Sequence, residues 1–257
     1  MGEHGTWFDF LNKYSWWQDI HGKLEHVLGR KWTFMMFGTS EFTLAHVLNA
    51  LAVVIFVIIG AAVFFSGTRG DKGLVPPKKM TFRHFFEVLT ESVYGMTEGA
   101  MGAENAPKFF PLVATFWFYI LFANLIGLLP GFSSPDHFFA NNVVLALLVF
   151  FMTHIYGVRA NGLAYFKHFL GPVWWLIPLM LPLELISHLA RPLSLTLRLL
   201  GNMLADHKVL ISFFTLLPFI IPVPFYLLGI LVCVVQAFVF CTLALTYFSM
   251  AVAHDEH

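Results

Sequence analysis

Charge is what this chain has least of. Asp, Glu, Lys and Arg make up 12% of its 257 residues, against about 25% in soluble domains. A water-borne enzyme is largely excluded. The charge that is present cancels, fifteen basic residues against fifteen acidic, so there is no electrostatic case for binding nucleic acid. Cysteine is sparse as well. Cys233 and Cys241 both sit in an apolar run, where helix packing is expected and a disulfide framework or metal site is not. No glycine-rich phosphate loop is found, which removes nucleotide chemistry from this chain. An early apolar core of the signal-peptide kind is missing too, because Asp9, Lys13, Asp19, Lys23, Glu25, Arg30 and Lys31 interrupt residues 1–40.

What the chain has instead is apolar length. It is 58% hydrophobic, its mean hydropathy is +0.74, and the apolar residues come in runs. A helix rises about 1.5 Å per residue and the hydrocarbon core is about 30 Å thick, so roughly twenty residues make a crossing. Residues 43–65, 109–129 and 142–158 qualify. The stretch from Pro172 to Ala253 is 82 residues long with five charges, and Pro218, Pro222 and Pro224 divide it into arms at 173–205 and 225–253. Val209 to Leu217 either extends the first arm or forms a re-entrant piece. The expectation is an all-α polytopic membrane protein with about five crossings, the last two long and strongly tilted. Residues 1–40 are expected to be an extramembrane or interfacial segment, with Phe8, Phe10, Leu11, Trp16, Trp17 and Ile20 on a short amphipathic helix, and residues 41–257 the membrane domain. Phe82, Phe85, Phe86, Leu89 and Val93 recur at helical spacing and predict a surface amphipathic helix.

Orientation follows from lysine and arginine. The loop from Ser66 to Lys108 carries Arg69, Lys72, Lys78, Lys79, Arg83 and Lys108, whereas that from Pro130 to Asn141 carries none and has Asp136. The basic loop is expected to be cytoplasmic, which puts the N-terminus outside and the C-terminus inside.

Ionisable groups inside a membrane are expensive and mark function by default. Glu184, Arg191 and Arg198 recur every seven residues, and seven steps of 100° return to within about 20°, so they share a helix face. His188, Asn202 and Asp206 fall on the same stripe, with Ser194 on its flank. Structural glue between helices would suit Glu184 and Arg191. It suits Arg198 less, because no carboxylate lies three or four residues from it, and its counter-charge is expected from bound water or a second protein. Pro192 frees the carbonyl of His188 beside the stripe. On the last arm Gln236 is placed to meet Arg198, and Tyr247 lies in a later polar patch.

The segment Ser194-Leu195-Thr196-Leu197-Arg198-Leu199-Leu200-Gly201-Asn202-Met203, preceded by Pro192 and followed far downstream by Gln236-Ala237-Phe238-Val239-Phe240, resembles subunit a of the F-type ATP synthase. Asn124-Leu125-Ile126-Gly127-Leu128-Leu129-Pro130 and Tyr247-Phe248-Ser249-Met250-Ala251 fit the same family. The resemblance runs from about residue 40 to the C-terminus. It implies a stator in a bacterial inner membrane, beside a c-ring and the subunit b peripheral stalk, coupled indirectly to the F1 sector and carrying no cofactor. It implies a proton route with two aqueous half-channels separated by Arg198, with Asn202 and Gln236 matching polar positions near the arginine and Glu184 one on the route; this chain's own polar residues add His188, Ser194, Asp206, His207 and Tyr247 as candidates. Three departures stand out. Asp206-His207 replaces a Gly-Glu pair and Gly229 stands where many members have histidine, so the outer relay is expected at Asp206 and His207. Gly127 replaces an acid that some members carry. The competing expectations are a haem-binding redox subunit, from His46, His154 and His188, and a self-contained transporter in which Arg198 binds an anion.

Overall fold

A computed structural model describes residues 15–28, 32–34, 38–40, 44–68, 82–129, 132, 134–137, 139–162, 165, 177–216 and 222–252, with some side chains inside these stretches excepted. Among the described residues seven α-helices follow one another: α1 Ser15–Leu28, α2 Leu44–Thr68, α3 Phe82–Met101, α4 Ala106–Leu128, α5 Phe139–Asn161, α6 Ile177–Leu216 and α7 Pro222–Val252. Among the described residues the one sheet is a two-stranded hairpin, β1 Trp32–Phe34 against β2 Gly38–Ser40. The chain is an all-α polytopic membrane protein.

Among the described residues four helices are long and apolar enough to cross a membrane, over Val47–Ser66, Ala106–Leu128, Phe139–Asn161 and Val223–Val252. Helix α6, with 40 residues, is about 60 Å long but carries the polar stripe that interrupts its apolar run. The piece from Val209 onward continues α6 to Leu216, so it extends the arm and is not separate. The amphipathic loop helix is α3. It turns Phe86, Val93 and Thr97 inward and leaves Phe82 and Phe85 exposed. Arg69, Lys72, Lys78, Lys79, the first four residues of the arm expected at 173–205, and the C-terminal acids lie outside the described residues.

Helices α4 and α7 form the centre. Phe109, Val113, Phe116 and Ile120 on α4 meet Ala237, Phe240, Cys241, Ala244, Leu245 and Phe248 on α7, both at three- and four-residue spacing. In lipid there is no water to squeeze out between helices, so close van der Waals fit and small residues drive their association. Ala237, Cys241 and Ala244 allow it: all are fully buried, and the Cys241 thiol lies 3.7 Å from the carbonyl of Val113. Phe109 stacks on Phe248 with centroids 5.7 Å apart, and Phe116 meets Phe240 edge-on at 5.8 Å. Both cysteines are buried, as packing residues should be. Around this centre α3 packs on α4, and α5 bridges α6 and α7. Leu51, Ile58, Ile59 and Phe65 on α2 and Val144 and Phe151 on α5 face outward, as lipid-facing side chains do.

Candidate functional site

Helix α6 presents its polar stripe along the edge of its packed face. His188, Leu195, Thr196, Leu199 and Leu200 are buried, while Leu183, Ile186, Leu189, Leu193 and Ser194 are exposed. Glu184 and Arg191 are half-buried on the boundary, and Arg198 and Asn202 are exposed. The shared face read from sequence is therefore real, but it lies at a rim. The 20° slip per heptad explains the gradient, because each turn of the stripe rotates a little further from α5 and α7.

Two polar stations result, with Glu184 and Arg198 about 21 Å apart along the axis. The first is a crevice between α5, α6 and α7, lined by Phe150, Thr153, His154, His188, Arg191, Pro192 and Tyr247 among others. His188 Nδ1 lies 3.0 Å from the backbone oxygen of Glu184 and 3.4 Å from its carboxylate Oε1. His154 Nδ1 lies 2.8 Å from the carbonyl of Phe150. A carbonyl only accepts, so both imidazoles donate from Nδ1, and in their neutral form Nε2 is the basic nitrogen. The two rings are 5.5 Å apart. Arg191 does not pair with Glu184 in this geometry. Its guanidinium carbon sits 5.4 Å from the centroid of the Tyr247 ring, a cation–π contact, and the acid turns to His188 instead.

Tyr165 closes the end of this station. Its ring is 5.9 Å from that of His154 and lies so close over Gly157 that any side chain there would overlap it. Burial raises the Tyr165 phenol above its usual range, partly offset by Arg191, which keeps it protonated near neutrality. Sequence reasoning named His188, Glu184 and Tyr247 here but assigned no proton role to His154 or Tyr165. No signal along one helix marks them, because they come from α5 and the segment after it.

The second station is Arg198 with Asn202 and Gln236. Gln236 is buried on α7 and accepts a 2.6 Å hydrogen bond from Asn202 Nδ2. It had been expected to meet Arg198, one turn earlier; the shorter Asn202 side chain reaches it because it points straight across the helix pair. Arg198 forms no ion pair or hydrogen bond among the described residues. Ser194 is exposed a turn below it, and the Thr196 hydroxyl donates 2.8 Å to the carbonyl of Pro192. Asp206 and His207 continue α6 beyond Asn202, but their side chains lie outside the described ones, and Gly229 is buried on α7. A guanidinium exposed on a membrane helix, flanked by proton-exchanging groups far to one side, can hold a mobile anionic partner without conducting a proton itself.

The profile of a family described as ATP synthase A chain matches residues 48–249. The chain is 50% identical over 179 residues to ATP synthase subunit a 2 of Syntrophotalea carbinolica, covering 70% of this chain and 75% of that one. It is 41% identical over 227 residues to ATP synthase subunit a of Bdellovibrio bacteriovorus, covering 88% of this chain and 98% of the relative. Against ATP synthase subunit a of Geobacter sulfurreducens the identity is 47% over 165 residues, 64% of this chain and 72% of the relative.

Proposed function

The chain belongs to the ATP synthase A chain family, and from that premise we propose that it is the proton-translocating stator whose Arg198 keeps two aqueous half-channels apart. The observation that carries this reading is the exposed guanidinium of Arg198, which has no internal counter-ion among the described residues. Its counter-charge is a carboxyl group on a neighbouring c-ring. A guanidinium stays protonated at any physiological pH, so it attracts each arriving carboxylate, favours release of the proton that carboxylate carried, and cannot pass a proton from one side to the other.

The crevice lined by His188 and His154, with Glu184 beside His188, serves as the inner half-channel. Carboxylate and imidazole exchange protons with water near neutral pH, Thr153 and Tyr247 add hydroxyl groups, and Arg191 is held aside by Tyr247. Asp206 and His207 serve the outer half-channel, with Asn202 and Gln236 fixing the spacing between α6 and α7 at the arginine. In this arrangement the basic Ser66 to Lys108 loop and the C-terminus are cytoplasmic, the N-terminus and the α4–α5 turn are outside, and a subunit b stalk anchors the chain relative to the F1 sector. The subunit performs no nucleotide chemistry of its own.

Arg198→Gln tests the reading. ATP-driven acidification of inverted vesicles is expected to vanish while the subunit still assembles; retained coupled pumping would falsify the assignment.

A further inference from the structure

The turn that joins α4 to α5 buries an acid that the arginine pathway does not use. Pro135–His137 forms a single 3-10 turn packed against α2, α4, α5 and α6. Ser134, Asp136 and Asn142 are all 0% exposed. Ser134 fits because Gly127 lacks a side chain: a Cβ at 127 would lie 2.5 Å from that of Ser134. The Ser134 hydroxyl donates to the carbonyl of Ala123 at 2.8 Å and accepts from the Asp136 N–H at 3.2 Å. Asp136 Oδ1 accepts from Asn141 Nδ2 at 2.7 Å, and the Asp136 carbonyl accepts from Asn142 Nδ2 at 2.7 Å. The Tyr119 hydroxyl on α4 donates to Asn141 Oδ1 at 2.9 Å.

These bonds leave polar atoms over. Among the described residues Asp136 Oδ2 and Asn142 Oδ1 are buried without a hydrogen-bond partner, as are both amide atoms of Asn124. Buried polar atoms are normally satisfied, by water where protein does not suffice. Two of these leftovers are acceptors on residues already bonded to each other, so a proton on Oδ2 supplies the donor they lack. Among the described residues no cation favours the ionised form. The Tyr119 phenol faces Asp136 from α4 and the neutral amides of Asn141 and Asn142 from α5, and from α2 and α6 no charged group acts on it among the described residues.

We propose that Asp136, held by Asn141 and Asn142, is a proton-holding site in the α4–α5 turn that exchanges with the aqueous phase on that side and feeds the intake path along α6. The proposal rests on the proton-translocating reading, which places this turn outside. In the exchange the Asp136 O–H breaks and a new O–H forms on water, giving hydronium; the carboxylate left behind keeps the Asn141 N–H bond, and a proton from the outer solution restores the acid. Burial supports this by raising Asp136 to about 7, only partly opposed by the Asn141 bond.

The test uses the whole complex in proteoliposomes, with the outer pH stepped from about 6 to about 8, either side of that value. Infrared difference spectra of the wild type are expected to show a protonated carboxyl band that is lost as the pH rises, and Asp136→Asn to lack it. Proton-driven ATP synthesis is expected to lose its outer-pH inflection in Asp136→Asn and regain it in Asp136→Glu. A band that disappears in Asp136→Asn while the synthesis profile stays as in the wild type would make Asp136 a structural acid and overturn the proposal. So would absence of a titrating band, or a midpoint set by sodium concentration. If Asp136→Asn does not assemble, Asn142→Ala is read instead: a moved midpoint supports the shared proton and an unmoved one refutes it. The infrared measurement needs no flux, so its failure is separable from retained pumping in Arg198→Gln, which bears on the arginine alone.

Discussion

A side-chain amide decides how the two long helices meet at the arginine. Gln236 is 3% exposed and its oxygen is held by Asn202 at 2.6 Å, while Arg198, on the next turn toward the N-terminus, pairs with no acid among the described residues. Removing one partner of a buried hydrogen bond costs more than the bond itself, because the other partner keeps its desolvation penalty. Asn202→Leu is therefore expected to destabilise the subunit by about 1–3 kcal/mol, seen as a lower thermal midpoint in detergent. Asn202→Leu with Gln236→Leu together should recover part of that loss, since two apolar groups leave nothing unsatisfied. Equal midpoints for the single variant and the wild type would show that the bond holds nothing.

At the level of elements, the α4–α7 contact depends on small side chains at regular spacing. Ala244 and Cys241 are fully buried against α4, and there is no room there for two more carbons plus a branch. Ala244→Leu is expected to cost about 1–3 kcal/mol by overpacking and to tilt α7 away from α4, with reduced incorporation into membranes as the readout. Leu231→Ala, on the exposed side of the same helix, serves as the control and should assemble normally. The crevice lined by His188 and His154, with Glu184 beside His188, belongs to this scale as well. It exists because α5 packs against α6 along one side, and Gly157 lets Tyr165 close over its end.

For the molecule as a whole, the arrangement amounts to two polar stations on one helix about 21 Å apart, with the arginine at the second. The proposed function places proton uptake beyond Arg198 at Asp206 and His207 instead of at a group on α7. Asp206→Ala is expected to slow passive proton uptake through the assembled complex, whereas Gly229→Ala, which adds one methyl to a buried position on α7, should leave the rate nearly unchanged. Flux equal in the two variants, measured with a pH-sensitive dye in stripped vesicles, rejects the relocated relay.

Much of this was legible in the linear chain, for identifiable reasons. Long apolar runs have few alternatives to helices in a membrane, so the spans expected near 43–65, 109–129 and 225–253 coincide with α2, α4 and α7 to within a few residues. The heptad spacing of Glu184, Arg191 and Arg198 fixed a shared face from helical geometry alone. Partners across helices were another matter. That Gln236 binds Asn202 and not Arg198, that Glu184 turns to His188 and leaves Arg191 to Tyr247, and that His154 joins them depends on how three helices rotate about their own axes.

The same holds for Asp136, which in sequence is one acid in a short loop and in the fold is a buried group with one oxygen unpartnered among the described residues. Composition and periodicity, being properties of one strand of chain, determined the solvent, the helices and the polar stripe. Depth, neighbours and protonation come from contacts between residues distant in sequence, such as Tyr119 with Asn141 and Asn202 with Gln236, and only the packed structure decides those.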